Sequence, residues 1–164
     1  MIIKNKHCKH LFSALAIFLV SNLAYGQAKT TIGIGLAINS SQAPVGYGGI
    51  LEVEAKVSPT FSLVPSIGVE VPYTAYLGLA GRTYISDRIN MNLGGFYHLG
   101  GDDGVGDSGP GATVGVGLSV LHTKEHFLSV NLHSDILQIN NSIRPLAGLR
   151  LVYNYSFKKY AESN

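Results

Sequence analysis

This sequence predicts an all-β fold, eight antiparallel strands closed into an up-and-down transmembrane β-barrel, on three observations. From Thr30 onward the apolar residues recur with period two, and the alternation breaks and restarts at regular intervals. Most of the segments so marked run 9 to 13 residues. A tilted strand needs about 9 to 11 to cross a bilayer, whereas strands of soluble sheets average about five or six. Within every segment the charges fall on the face opposite the apolar one. Composition closes off the other classes. With 46% hydrophobic and 13% charged residues the chain is too apolar for a disordered tail. Only one apolar run, near the N-terminus, approaches the length of a membrane helix, so a polytopic helical protein is excluded.

Residues 1–26 have the three parts of a cleaved secretory signal peptide. These are a basic start at Lys4, Lys6 and Lys9, an apolar run from Leu11 to Val20, and a short polar stretch ending Ala24-Tyr25-Gly26, after which the cut is expected. Ten strongly apolar residues are too few to span as an anchor. Residues 27–164 then form one barrel domain with a short tail, 158–164. The only cysteine, Cys8, is lost with the signal, so the exported chain folds without disulfides. Three of the twelve Lys and Arg leave with it too, so nine basic residues face ten acidic ones and a nucleic-acid partner is not expected.

The eight predicted strands are about 30–38, 47–57, 61–70, 73–85, 89–99, 112–122, 127–137 and 144–157. In the first, Ile32, Ile34, Leu36 and Ile38 share a face with Gly33 and Gly35 opposite; in the second, Leu51, Val53, Ala55 and Val57 oppose Glu52, Glu54 and Lys56. The third sets Phe61, Leu63, Ile67 and Val69 against Gly68 and Glu70, with Pro65 as an awkward member because a paired strand position normally needs its N–H. The fourth sets Leu77 and Leu79 against Gly78 and Arg82, and the fifth Met91, Leu93 and Tyr97 against Asn92 and Gly94. In the sixth Val114, Val116 and Leu118 oppose Gly115 and Gly117; in the seventh Leu128, Val130, Leu132 and Ile136 oppose His133 and Asp135. The eighth has Leu149, Leu151, Tyr153, Tyr155 and Phe157 against Arg144, Gly148 and Arg150.

A soluble barrel could show the same parity. Three features favour the inside-out arrangement. The charged face is crowded with glycine, as a narrow eight-stranded lumen requires. Aromatics of the apolar face gather at strand ends as two girdles, Tyr47, Tyr73 and Tyr97 at one, Phe61, Tyr153, Tyr155 and Phe157 at the other. The links after odd-numbered strands (39–46, 70–72, 100–111, 138–143) include all the longer ones, while Ser58-Pro59-Thr60, Ser86-Asp87-Arg88 and Thr123 to His126 are tight. Long loops outside, short turns in the periplasm and both termini periplasmic are the pattern of outer-membrane barrels.

The exported chain therefore resembles the small eight-stranded outer-membrane barrels of the OmpA and OmpX type, over its whole length and by pattern. Its last strand, Gly148-Leu149-Arg150-Leu151-Val152-Tyr153-Asn154-Tyr155-Ser156-Phe157, looks like the C-terminal assembly signal of such barrels, although Lys158 to Asn164 follow where that family usually stops. The resemblance implies an outer-membrane location in a Gram-negative bacterium, with the lipid bilayer and the barrel assembly machinery as partners and a monomeric state.

The richest constellation is the lumen charge network of Glu52, Glu54, Lys56, Arg82, His133, Asp135 and Arg150. Side chains nearly fill an eight-stranded lumen and buried charges are tolerated only when paired. The expectation is a polar plug in which Glu52 and Glu54 pair with Arg82 or Arg150. His133 and Asp135, with Ser119 or Ser129, invite a hydrolase reading, but no nucleophile elbow is present. Lipid A deacylases on this fold carry a His-x-Ser pair; here Ser134 directly follows His133 and falls on the other face. Asp102, Asp103 and Asp107 lie among glycines in one acidic loop, matching no EF-hand and occurring once. His122 and His126 flank a tight turn without a third ligand. No catalytic residue, cofactor or metal is expected. The function predicted is a structural or surface-binding membrane barrel; the alternatives are a soluble exported barrel holding a small apolar ligand, as lipocalins do, and, behind it, a lipid-modifying outer-membrane enzyme.

Overall fold

The structure is a computed structural model and describes residues 30–40, 46–71, 75–100, 108–123, 125–139 and 142–157. The signal segment, Tyr73, the aspartates of 102–107 and the 158–164 tail lie outside the described residues. Eight strands follow one another: β1 (Thr30–Asn39), β2 (Gly46–Ser58), β3 (Phe61–Glu70), β4 (Ala75–Tyr84), β5 (Ile89–Leu99), β6 (Gly109–His122), β7 (His126–Ile139) and β8 (Ser142–Phe157). Each pairs antiparallel with the next, and β8 closes on β1 from Thr30↔Phe157 to Asn39↔Gly148, so the sheet has no free edge.

Period two sorts the side chains. Leu36 and Leu93 are each 70% exposed and Ile34 64%, while the inward-facing Ala37, Asn90 and Glu52 are buried. An exposed apolar belt around the whole barrel is far beyond the few hundred Å² that a soluble monomer shows to water. The lipocalin-like alternative requires the opposite, an apolar interior and a wet exterior, and the geometry removes it.

Pro65 keeps its place in the sheet. It pairs with Leu79 on β4, while Val64 and Pro65 have no partner in the β2 ladder, which resumes on either side in the same register. The missing N–H is accommodated by that gap. A bulge between Ser119 and Leu121 adds Val120 to β6, so Val120 and Leu121 are both exposed.

The links are less regular than the sequence suggests. β7 and β8 remain paired through Gln138↔Ile143 and Ile139↔Ser142, leaving only residues 140–141 between them where a longer loop was expected. The β3–β4 link, 71–74, is no longer than the β4–β5 turn, 85–88. Only 40–45 and 100–108 are longer than the rest, and both are at the end opposite Thr30 and Phe157.

Candidate functional site: the charged lumen

Two layers of charge cross the barrel interior. In the layer nearer the tight turns, Arg82 of β4 is 6% exposed and every nitrogen of its guanidinium donates. Nη1 reaches Glu54 Oε2 at 2.8 Å, Nη2 reaches Glu52 Oε1 at 3.1 Å, and Nε reaches Asn92 Oδ1 at 2.8 Å. Glu54 also accepts from the Ser62 hydroxyl at 2.6 Å and the Tyr84 hydroxyl at 2.5 Å. Lys56 lies over the Tyr84 ring, 4.7 Å from its centroid. A planar fork with fixed donors suits this task better than an ammonium would.

The second layer lies toward the long-loop end. Arg150 of β8 donates from Nε to Glu70 Oε1 at 3.2 Å and from Nη2 to Asp135 Oδ2 at 3.1 Å. Glu70, fully buried, also accepts from the Tyr76 hydroxyl at 2.8 Å and, at 3.4 Å, from Asn39. His133 Nε2 is 3.5 Å from Asp135 Oδ2. Glycine makes room for these groups: a Cβ at Gly68 would overlap the Tyr76 ring, and one at Gly148 the His133 ring. Ile50, Tyr76, Leu137, Leu146 and Val152, with Phe96 against them, form the interior's apolar cluster. A chamber of about 60 Å³, bordered by Glu52, Arg82, Asn131, His133 and Arg150, separates the layers.

The expected pairing thus resolves one way: Glu52 and Glu54 go to Arg82, while Arg150 serves Glu70 and Asp135. Sequence reasoning placed Glu70 on the inner face but missed it as the hub of the second layer, and missed the two phenols. Their signal was parity, since Tyr76 and Tyr84 stand on the polar face of β4. Glu70, His133 and Asp135 each bring a ligand atom within 4.8 Å of the others, the spacing of a cation site. The Arg150 guanidinium already bonds both carboxylates, so the cation there is the protein's own.

Among the described residues, no hydrogen bond joins His133 to Ser119, Ser129 or Ser134. Beyond the 3.5 Å approach of Nε2 to Asp135, the ring nitrogens of His133 have no hydrogen-bond partner among the described residues, Ser134 falls on the outer parity, and the Ser129 hydroxyl donates to Val152 O at 3.4 Å. His122 and His126 point to opposite sides. His122 packs edge-on against Phe127 inside, centroids 4.4 Å apart, whereas His126 joins the outer aromatics, stacked on Tyr153 with Nδ1 and the Tyr153 hydroxyl 2.6 Å apart. Of the expected girdles, Tyr47 and Tyr97 are exposed toward one end, and Phe61, Tyr155 and Phe157 toward the other, with Tyr153 one rung further in.

No family model and no curated protein matches the sequence. Solved structures do. A de novo designed transmembrane β-barrel aligns with a TM-score of 0.53 at 15% identity, over 79% of this chain and 95% of the other. The outer membrane protein Ail of Yersinia pestis, in a phospholipid bilayer nanodisc, aligns with a TM-score of 0.52 at 12% identity, over 80% of this chain and all of the other. Ail in complex with the heparin analogue sucrose octasulfate gives 0.50 at 10%, over 79% and 99%. At such identities the likeness is one of fold, and the fold is that of the small eight-stranded outer-membrane barrels.

Proposed function

We propose that this chain is an integral outer-membrane barrel of a Gram-negative bacterium, with a plugged, non-conducting lumen and a structural or surface-binding role without catalysis. In this reading it is exported with residues through Gly26 removed, inserted by the barrel assembly machinery, and works as a monomer in the lipid bilayer with both termini in the periplasm. The observation that carries the plug is the double crossing of the lumen by guanidinium groups that each bond two carboxylates, Arg82 on Glu52 and Glu54, Arg150 on Glu70 and Asp135. An open water path would leave such groups solvated and would not need the apolar cluster packed beside them. A contact role draws on the links 40–45 and 100–108, the longest of the chain. The Yersinia barrel, which takes a heparin analogue, is a barrel of the same fold with a bound ligand.

The test is electrical. The purified protein, incorporated into planar bilayers whose successful insertion is verified by protease protection, is expected to give no steady conductance. Reproducible single-channel steps from the unmodified protein would overturn the plug.

A further inference from the structure

On the outer wall, the tight-turn corner of β7 and β8 carries an exposed imidazole among the girdle aromatics. The His126 ring stacks on Tyr153, centroids 5.9 Å apart, and lies 5.4 Å from the ring of Tyr155, which meets Phe157 edge-on. Its Nδ1 is 2.6 Å from the Tyr153 hydroxyl, while Nε2 has no hydrogen-bond partner among the described residues. With the phenol as donor, Nε2 carries the ring hydrogen, and in the imidazolium it carries one as well. The ring is held in place from below. His126 N donates to the Thr123 hydroxyl at 3.0 Å, and Ser156 N donates to Glu125 O at 2.8 Å, which ties the turn to β8. In sequence the corner is basic: Lys124 stands in the turn and Lys158-Lys159 follow Phe157, against one acid, Glu125.

Beside this corner an apolar groove of about 1330 Å³ runs along the outer wall. Leu128, Tyr153 and Ile34 border its near end, and Leu36, Gly49 and Leu99 lie further toward the long-loop end. Gly49 stands on the outer face between Tyr47 and Leu51, and a Cβ there would meet only Gly35 O at 3.6 Å. Tyr153 belongs to both features, so a donor with basic neighbours sits at one end of an apolar trough. A phospholipid has these two chemistries in the same order, with its phosphodiester at the depth of an aromatic girdle and its acyl chains toward the midplane. We infer that this corner and groove are a binding site for an anionic phospholipid of the periplasmic leaflet, its phosphate on His126 Nε2 and its acyl chains along the groove past Gly49. The inference rests on the outer-membrane reading and names one lipid partner within it.

The full exported chain is reconstituted in nanodiscs of phosphatidylcholine with a minority of phosphatidylglycerol. Electron spin resonance then compares the motionally restricted fractions of the two lipids, each spin-labelled. The unmodified protein should prefer phosphatidylglycerol by at least about threefold, the scale set by one or two basic side chains at a membrane surface. His126→Phe keeps the ring but loses the donor and should weaken that preference; adding Lys158→Gln and Lys159→Gln should abolish it. Gly49→Phe, which fills the groove, should lower the restricted fraction of phosphatidylglycerol. Tyr47→Phe, at the opposite girdle, should change nothing, and circular dichroism verifies that each variant is folded. No preference in the unmodified protein, or an undiminished one in the folded triple variant, would overturn the site. So would saturable binding of inorganic phosphate at the His126 ring, followed by NMR in nanodiscs of phosphatidylcholine alone, since the donor would then serve a free anion. A chain that inserts into no bilayer would overturn the outer-membrane reading together with the inference.

Discussion

Arg82→Ala is the perturbation that tests the lumen most directly. It removes three donors at once and leaves Glu52 and Glu54, 5% and 6% exposed, without their shared counter-charge. Breaking a buried pair by deleting one partner costs about 3 to 5 kcal/mol. The two carboxylates do not share that cost equally. Glu54 keeps the hydroxyls of Ser62 and Tyr84. Glu52 has no second hydrogen-bond partner among the described residues and borders only the small chamber. Adding Glu52→Gln to Arg82→Ala should therefore recover more stability than adding Glu54→Gln, by about 1 kcal/mol within the coupling range for neighbouring groups. Arg150 and Glu52 share no partner, so their double-mutant cycle should be additive within about 0.5 kcal/mol. The chain has no Trp, so guanidinium unfolding in detergent is best followed by far-ultraviolet circular dichroism. A loss below about 1 kcal/mol for Arg82→Ala, or equal coupling of Glu52 to both arginines, would refute the layer assignment.

Three further outcomes follow from the same geometry. Leu93→Arg should cost about 2 to 4 kcal/mol of insertion at the bilayer midplane, and Val57→Arg, close to the tight turns, about 0 to 1; equal insertion of the two into vesicles would contradict the depth assignment. Gly148→Val should lose about 1 to 3 kcal/mol by driving the His133 ring from its place, whereas Gly49→Ala, whose Cβ meets only Gly35 O at 3.6 Å, should leave the unfolding midpoint nearly unchanged. Tyr84→Phe deletes a hydroxyl that donates to a carboxylate and should cost about 1.5 to 3 kcal/mol, measured by the same unfolding titration and with far-ultraviolet spectra unchanged.

The faces of this barrel were legible because a bilayer and a narrow lumen impose opposite demands on alternate residues, and every strand repeats them. β3 and β5 begin and end where the alternation does, at Phe61 and Glu70 and at Ile89 and Leu99. Where the pattern ran through turn-forming residues it misled. Gly109-Pro110-Gly111 has loop chemistry, yet Pro110 is paired with Tyr97 and Gly111 with Phe96, because the ladder with β5 extends past it. The same extension shortened the β7–β8 link, and no sequence signal marked the bulge at Val120.

The pairings inside were less legible for a physical reason. Parity tells which side a residue faces but not its height along the barrel axis, which is set by register accumulated from strand to strand. Arg150 and Glu70 are 80 residues apart and meet because three pairings, β3 with β2, β2 with β1 and β1 with β8, bring them level. Once the heights are known, both layers follow one plan: one guanidinium, two carboxylates and one phenol, Arg82 with Glu52, Glu54 and Tyr84, Arg150 with Glu70, Asp135 and Tyr76. Each layer sets two acids against one base, and a phenol hydroxyl that donates to a carboxylate supports it without adding a further ion to the interior. Tyr76 and Tyr84 on the polar face of β4 are thus the marks in the sequence of carboxylates on nearby strands, Glu70 on β3 and Glu54 on β2.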